Sequence, residues 1–199
     1  CTPVNDIIKK LRLFTSWRVK ALITDTGSTK VRITREAKDL CFTGSHPIAG
    51  SEQSGISFAR SDLFKNSLCI LTPQGHQASN ARRIAAFWKK TGSRVRIMTP
   101  QQHDKMLSFT SHLPHAIAFC LMNTIAKDQL AFASGGLKDT TRIASSRPEL
   151  WVDVFTSNKT ELLKAIASFE TTLRRFRQDL LCHPGALHHA LAAARKKRN

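Results

Sequence analysis

The chain has 199 residues, of which 41% are hydrophobic, with a formal net charge of +17. That apolar fraction excludes a disordered chain and suffices for a buried core, and no apolar run approaches the roughly 20 residues of a membrane span. The charge is compatible with a solvated basic surface or with anionic partners, from nucleic acid and membranes to phosphorylated cofactors and di-acid substrates.

Residues 5–15 carry Ile7, Ile8, Leu11 and Phe14 at helical spacing, with Asn5 placed as the N-cap. The apolar run at 19–24 predicts a buried strand, followed by a polar loop at 25–29 and a short helix over 29–38. A second strand is expected at 40–43, ending in a loop that begins Gly44-Ser45-His46-Pro47. Residues 68–72 predict a further strand, stopped by Pro73. Residues 79–91 predict an amphipathic helix with Ile84, Phe87 and Trp88 on one face and Gly92 as its stop, before a last strand at 95–98. This alternation predicts an α/β layer with parallel strands.

After Pro100 strand signals vanish, and helices are expected over 101–133, 147–157 and 159–181. Asn158 and Glu161 form a capping box for the third. Leu162, Ile166, Phe169, Leu173, Phe176 and Leu180 recur at heptad spacing, so that helix packs lengthwise against another, in the same chain or in a second copy. Residues 195–198 read as a frayed basic tail. The expected organisation is an incomplete Rossmann-like α/β unit over 1–100 and an all-helical unit over 101–199.

Open α/β sheets place ligands at the C-terminal ends of their strands. Two polar loops are expected there, Thr24-Asp25-Thr26-Gly27-Ser28-Thr29-Lys30 and the stretch from Gly44 to Glu52. His46, between small residues and before a proline, is a candidate acid/base group. The helical half adds His103-Asp104, then His112 and His115 around Pro114, and the run Gly135-Gly136-Leu137-Lys138-Asp139-Thr140-Thr141-Arg142, followed by Trp151. The histidine separations match no zinc pattern, so no metal is expected. The five cysteines include no CxxC pair, and the N-terminus lacks a signal-peptide pattern, so reduced thiols in a cytoplasmic protein are expected.

TDTGSTK, FTGSHPIAGSEQSG, Ser61-Asp62-Leu63-Phe64, the ILTP strand end, HDKMLSFTSHLPH and GGLKDTTRIASSRPELW together resemble, in order, the signatures of prephenate and arogenate dehydrogenases. The resemblance covers the chain to about residue 180. It implies a nucleotide-binding domain joined to a helical dimerisation domain, with the active site between them. The implied reaction is oxidative decarboxylation of prephenate or arogenate with hydride transfer to NAD or NADP. It makes His46 the base at the substrate 4-hydroxyl, Ser28 its orienting partner, and Arg142 the carboxylate-binding group. His115, less firmly His112, lines the substrate pocket, with Asp139, Gly135 and Trp151 in support, and Thr26, Gly27, Ser28 and Pro47 flank the nicotinamide.

The chain contains no GxGxxG turn and opens on Cys1 rather than Met. It is therefore expected to be a piece of a longer protein, to bind dinucleotide poorly as it stands, and to expose a raw sheet edge. The alternative reading is a truncated non-catalytic paralogue. A nucleic-acid-binding module is not expected, because no basic patch with interleaved aromatics is present; nor is a membrane partner. The implied partners are the small-molecule substrate and a second copy of the chain.

Overall fold

The computed structural model describes residues 2–50, 56–75 and 78–199, and the chain falls into two compact units, Cys1–Leu162 and Leu163–Asn199. The first unit runs across residue 100 and contains every candidate site residue.

Helix α1 (Val4–Ser16) buries Val4, Ile7, Ile8 and Leu11, three to four residues apart, which places them on one face. Its N-cap is Pro3, not Asn5. The first backbone N–H, on Val4, instead donates to the carboxylate of Asp153, as does the Asn5 amide at 2.5 Å. A distant acid therefore does the work that the local pattern assigned to Asn5. The helix ends where Arg18 turns left-handed (φ 51°), with Val19 N–H reaching back to Phe14 O and Arg18 N–H to Thr15 O. The buried face packs on Ile33 and Ala37 of and beside α2 (Val31–Glu36), and on Leu40 and Phe42.

The expected strand at 19–24 reduces to one parallel bridge, Ile23 to Phe42. Strand β1 begins later than expected and runs Thr43–Ile48, so His46 lies within a strand and not in a loop after one. It pairs antiparallel with β2 (Leu68–Pro73), which pairs parallel with β3 (Arg94–Ile97), making a three-stranded mixed sheet in the order β1-β2-β3. Pro47 is tolerated because β1 is an edge of that sheet. The expected loop residues Ser51 and Glu52 lie outside the described residues.

Helix α3 (Ala78–Lys90) covers the sheet with Ile84 and Trp88 against Cys69 and Leu71. Trp88 meets Phe64 edge-on, with ring centroids 5.2 Å apart. Phe87, expected on the same face, points outward and is 53% exposed, because it sits one position off the 3.6-residue stripe. Gly92, with φ 86°, closes the helix through Ser93 N–H to Trp88 O.

The single helix expected over 101–133 is broken. Helix α4 (Pro100–Leu107) opens with a full capping box between Thr99 and Gln102. A π-turn, Ser108–His112, joins it to α5 (Leu113–Thr124), where Pro114 sits in the first turn and needs no hydrogen-bond donor. Then come α6 (Gly135–Thr141), a 3₁₀ turn at Arg142–Ser145, and α7 (Pro148–Ser157). Helix α8 (Lys159–Cys182) leads into the second unit, where α9 (Pro184–Arg198) stays helical through the basic residues expected to fray. Their charges lie at the helix C-terminus, where the macrodipole favours cations.

Candidate active site

Asp25 and Asp104 organise the site from two sides. Asp25 Oδ2 accepts from Gly27 N–H (2.8 Å) and from Lys30 Nζ (2.5 Å), and Oδ1 accepts from Ser45 N–H (3.1 Å), tying the Thr26–Ser28 loop to β1. Lys30 is fully buried and its ammonium also donates to Ser45 O at 2.6 Å. Burial pushes the Lys30 pKa down, while Asp25 and Asp104 pull it back up. Gly27 is closely packed: an added Cβ would lie 2.6 Å from Ile33 Cδ1 and 2.8 Å from Asp25 Oδ2, so those side-chain ends would have to shift.

Asp104, buried on α4, accepts from the backbone N–H groups of Lys30 (2.7 Å) and Val31 (2.9 Å), filling the role of a cap for α2. Its Oδ1 also lies 2.7 Å from His103 Nδ1, and His103 Nε2 lies 2.8 Å from His46 Nδ1. A line of contacts therefore runs from Asp104 through His103 to His46, from the helical half into the sheet. Burial depresses the pKa of both histidines, His46 well below its ordinary value. The neighbouring His103, Lys30 and His112 deepen the effect at His46, whereas the Asp104 carboxylate works against it at His103. The net direction at both rings favours the neutral form.

His112 lies at the end of the π-turn and is buried. The amide of Asn158 donates to Asp104 O (2.8 Å) and to His112 Nδ1 (3.1 Å). Burial, helped by His103 and His115, pushes the His112 pKa down to about 4. Its Nε2 has no hydrogen-bond partner among the described residues. His115 stacks on Trp151, with ring centroids 3.5 Å apart and planes 22° apart, and its Nδ1 meets Ser111 O at 2.9 Å. Burial lowers the His115 pKa, and the nearby Arg142 cation lowers it further.

Among the sequence-predicted residues, His46, His112, His115, Trp151 and Arg142 are thus linked through contacts or through the charges they feel. Arg142 is exposed and begins the 3₁₀ turn packed on α5. Asp139 and Gly135 are exposed on α6, and a Cβ added at Gly135 meets nothing within 4 Å. Pro47 is buried in β1, while Thr26 and Ser28 are half-buried in the loop opposite. The recorded contact of His46 Nδ1 is His103, not Ser28. Sequence reasoning gave no site role to Lys30, Asp25, His103 or Asp104, and read Asn158 only as a helix cap. The signal was present in the acid beside a histidine in HDKM and in the lysine ending TDTGSTK, but only tertiary contact shows what each pairs with.

Residues 1–97 match the family model described as the prephenate dehydrogenase nucleotide-binding domain, and residues 99–182 match the prephenate dehydrogenase dimerization domain. The chain is 31% identical over 198 residues to the cyclohexadienyl dehydrogenase of Zymomonas mobilis, covering 93% of this chain and 68% of that protein. It is 38% identical over 154 residues to the prephenate dehydrogenase of Bacillus subtilis, covering 71% of this chain but 42% of the relative. The crystal structure of prephenate dehydrogenase from Aquifex aeolicus, in complex with hydroxyphenyl propionate and NAD+, superposes with a TM-score of 0.92 at 32% identity, covering 99% of this chain and 73% of that one. With both of its halves matched by the family's two domain models, and the histidine–carboxylate line joining those halves, the chain belongs to the prephenate dehydrogenase family of oxidoreductases.

Proposed function

We propose that the site oxidatively decarboxylates prephenate or arogenate, with His46 accepting the proton of the ring hydroxyl. The observation that carries this reading is His46 itself: a half-buried imidazole on β1 whose surroundings favour its neutral form, anchored through Nδ1 and therefore left with Nε2 for a ligand. As hydride leaves C4 and the C4–O bond becomes a carbonyl, the hydroxyl proton passes to His46 Nε2. Loss of carbon dioxide from the opposite carbon sends its electron pair into the ring, which becomes aromatic, and the phenol oxygen recovers a proton.

NAD or NADP, when bound, supplies the hydride acceptor. Ser28, half-buried without a hydrogen-bond partner among the described residues, fits the nicotinamide end together with Thr26 and Pro47. Gly27 lies between Thr26 and Ser28 in the same loop and flanks the nicotinamide with them. The chain holds no GxGxxG turn for the pyrophosphate.

Arg142 binds the side-chain carboxylate, with the His115–Trp151 stack forming the adjacent wall. Homodimerisation takes place through the helical half. Steady-state NADH or NADPH formation, measured with each substrate on the product of the complete open reading frame, tests the assignment. His46→Asn should lower kcat by about 100-fold or more, and Arg142→Ala should raise KM by about tenfold or more. Wild-type turnover in either variant overturns the corresponding role.

A further inference from the structure

We infer that His103, held by Asp104, is a positioning residue that fixes the tautomer of His46, so that the lone pair facing the substrate is always the one on Nε2. The inference rests on His46 being the base, and it assigns a function to two residues outside that reading.

The argument follows the acceptors. A carboxylate offers no proton, and Asp104 is held as an acceptor by the N–H groups of Lys30 and Val31 at 2.7 and 2.9 Å. His103 Nδ1, 2.7 Å from Asp104 Oδ1, must therefore carry its ring proton. A neutral imidazole has one proton, so His103 Nε2 is a lone pair. His46 Nδ1, 2.8 Å away, must then donate to it. The remaining nitrogen of His46 is left bare and able to accept. Reversing the tautomer of either ring would oppose two protons or two lone pairs at a 2.8 Å contact.

The arrangement has a structural anchor. Asp104 is 1% exposed and His103 is fully buried, so neither exchanges its partner for bulk water without local opening. The carboxylate that caps α2 also sets, two hydrogen bonds away, the direction of a proton on β1. Capping and catalysis thus share one side chain.

Proton-detected nitrogen NMR on the unmodified chain, with histidine-selective labelling at neutral pH, reads the tautomers directly. Protons on Nδ1 of both His103 and His46 are expected, and a proton on His46 Nε2 overturns the proposal. In the protein that turns over, His103→Phe should lower kcat by about tenfold or more while KM changes by less than about threefold, because the ground-state contacts to substrate remain. His103→Gln, whose amide oxygen can replace Nε2 as acceptor, should recover most of that loss. Equal losses in Phe and Gln variants overturn the positioning role.

The two readings fail separately. If both rings carry the expected protons but His46→Asn retains full turnover, the assignment of the base falls and the hydrogen-bond line stands. If His46 is essential and its proton sits on Nδ1, but His103→Phe and His103→Gln lose kcat equally, the positioning role alone falls.

Discussion

Three imidazoles stored uncharged are a debt against acid. His112, His103 and His46 all have pKa values below the ordinary histidine range because burial disfavours the cation, His112 at about 4. In the unfolded chain each would take up a proton near pH 6.5. Between pH 6.5 and about 4 the unfolded state therefore binds more protons at His112, and stability rises with pH through that window. Fully realised, His112 alone contributes about 3 kcal/mol of acid destabilisation, with His46 and His103 adding in the same direction. The melting temperature should drop as pH falls from 7 to 4, and His112→Phe should flatten the drop. A variant as acid-sensitive as the wild type refutes the assignment. For activity the same depression matters in another way. A base with the ordinary histidine pKa would lose rate below about pH 6.5, whereas His46, with its pKa lowered, stays neutral further into acid.

At the scale of elements, two short stretches of backbone are completed by acids from far away in sequence. Asp153 of α7 serves the start of α1, and Asp104 of α4 serves the start of α2. Each helix start leaves N–H groups without internal partners, and a carboxylate satisfies them while opposing the positive end of the helix dipole. Asp104→Ala would strand the buried donors on Lys30 and His103 and the half-buried one on Val31. It should cost about 3 kcal/mol or more in urea unfolding, and a loss below about 1 kcal/mol would show that water replaces the carboxylate readily.

These contacts also mark what the residue pattern could and could not convey. The apolar spacing of Ile7, Ile8 and Leu11 placed α1 within a residue at each end, and Gly92 marked the end of α3. Asn5 misled because cap propensity is local while the actual acceptor, Asp153, is 148 residues away. The π-turn at Ser108–His112 was invisible, because an extra residue in one helical turn leaves no compositional mark. The backbone at His46 was misread as loop when it is strand. Gly44 and Pro47 read as loop, whereas the ladder to β2 holds them extended.

For the whole molecule, the most legible feature was the heptad row on α8, whose C-terminal half is exposed: Leu173 is 53%, Phe176 41% and Leu180 59% accessible. Apolar side chains in a continuous row invite a second helix. If the proposed dimer forms through this row, Leu173→Glu combined with Leu180→Glu should shift the protein towards monomer in analytical ultracentrifugation at micromolar concentration; an unchanged sedimentation coefficient would show that the row carries no such contact. The net charge of +17 identified no partner by itself. Its meaning depends on where the charges lie, and Lys30, fully buried, is engaged by Asp25 and the carbonyl of Ser45.

That lysine gives the molecule a clock. Its amine is sealed from solvent beneath the loop and strand that carry the proposed base, so an acylating reagent in the medium can reach it only when this region unlatches. The pace at which Lys30 gains an acyl mass, against the fast labelling of surface lysines, then measures how often the catalytic floor lifts while the remainder of the fold stays closed.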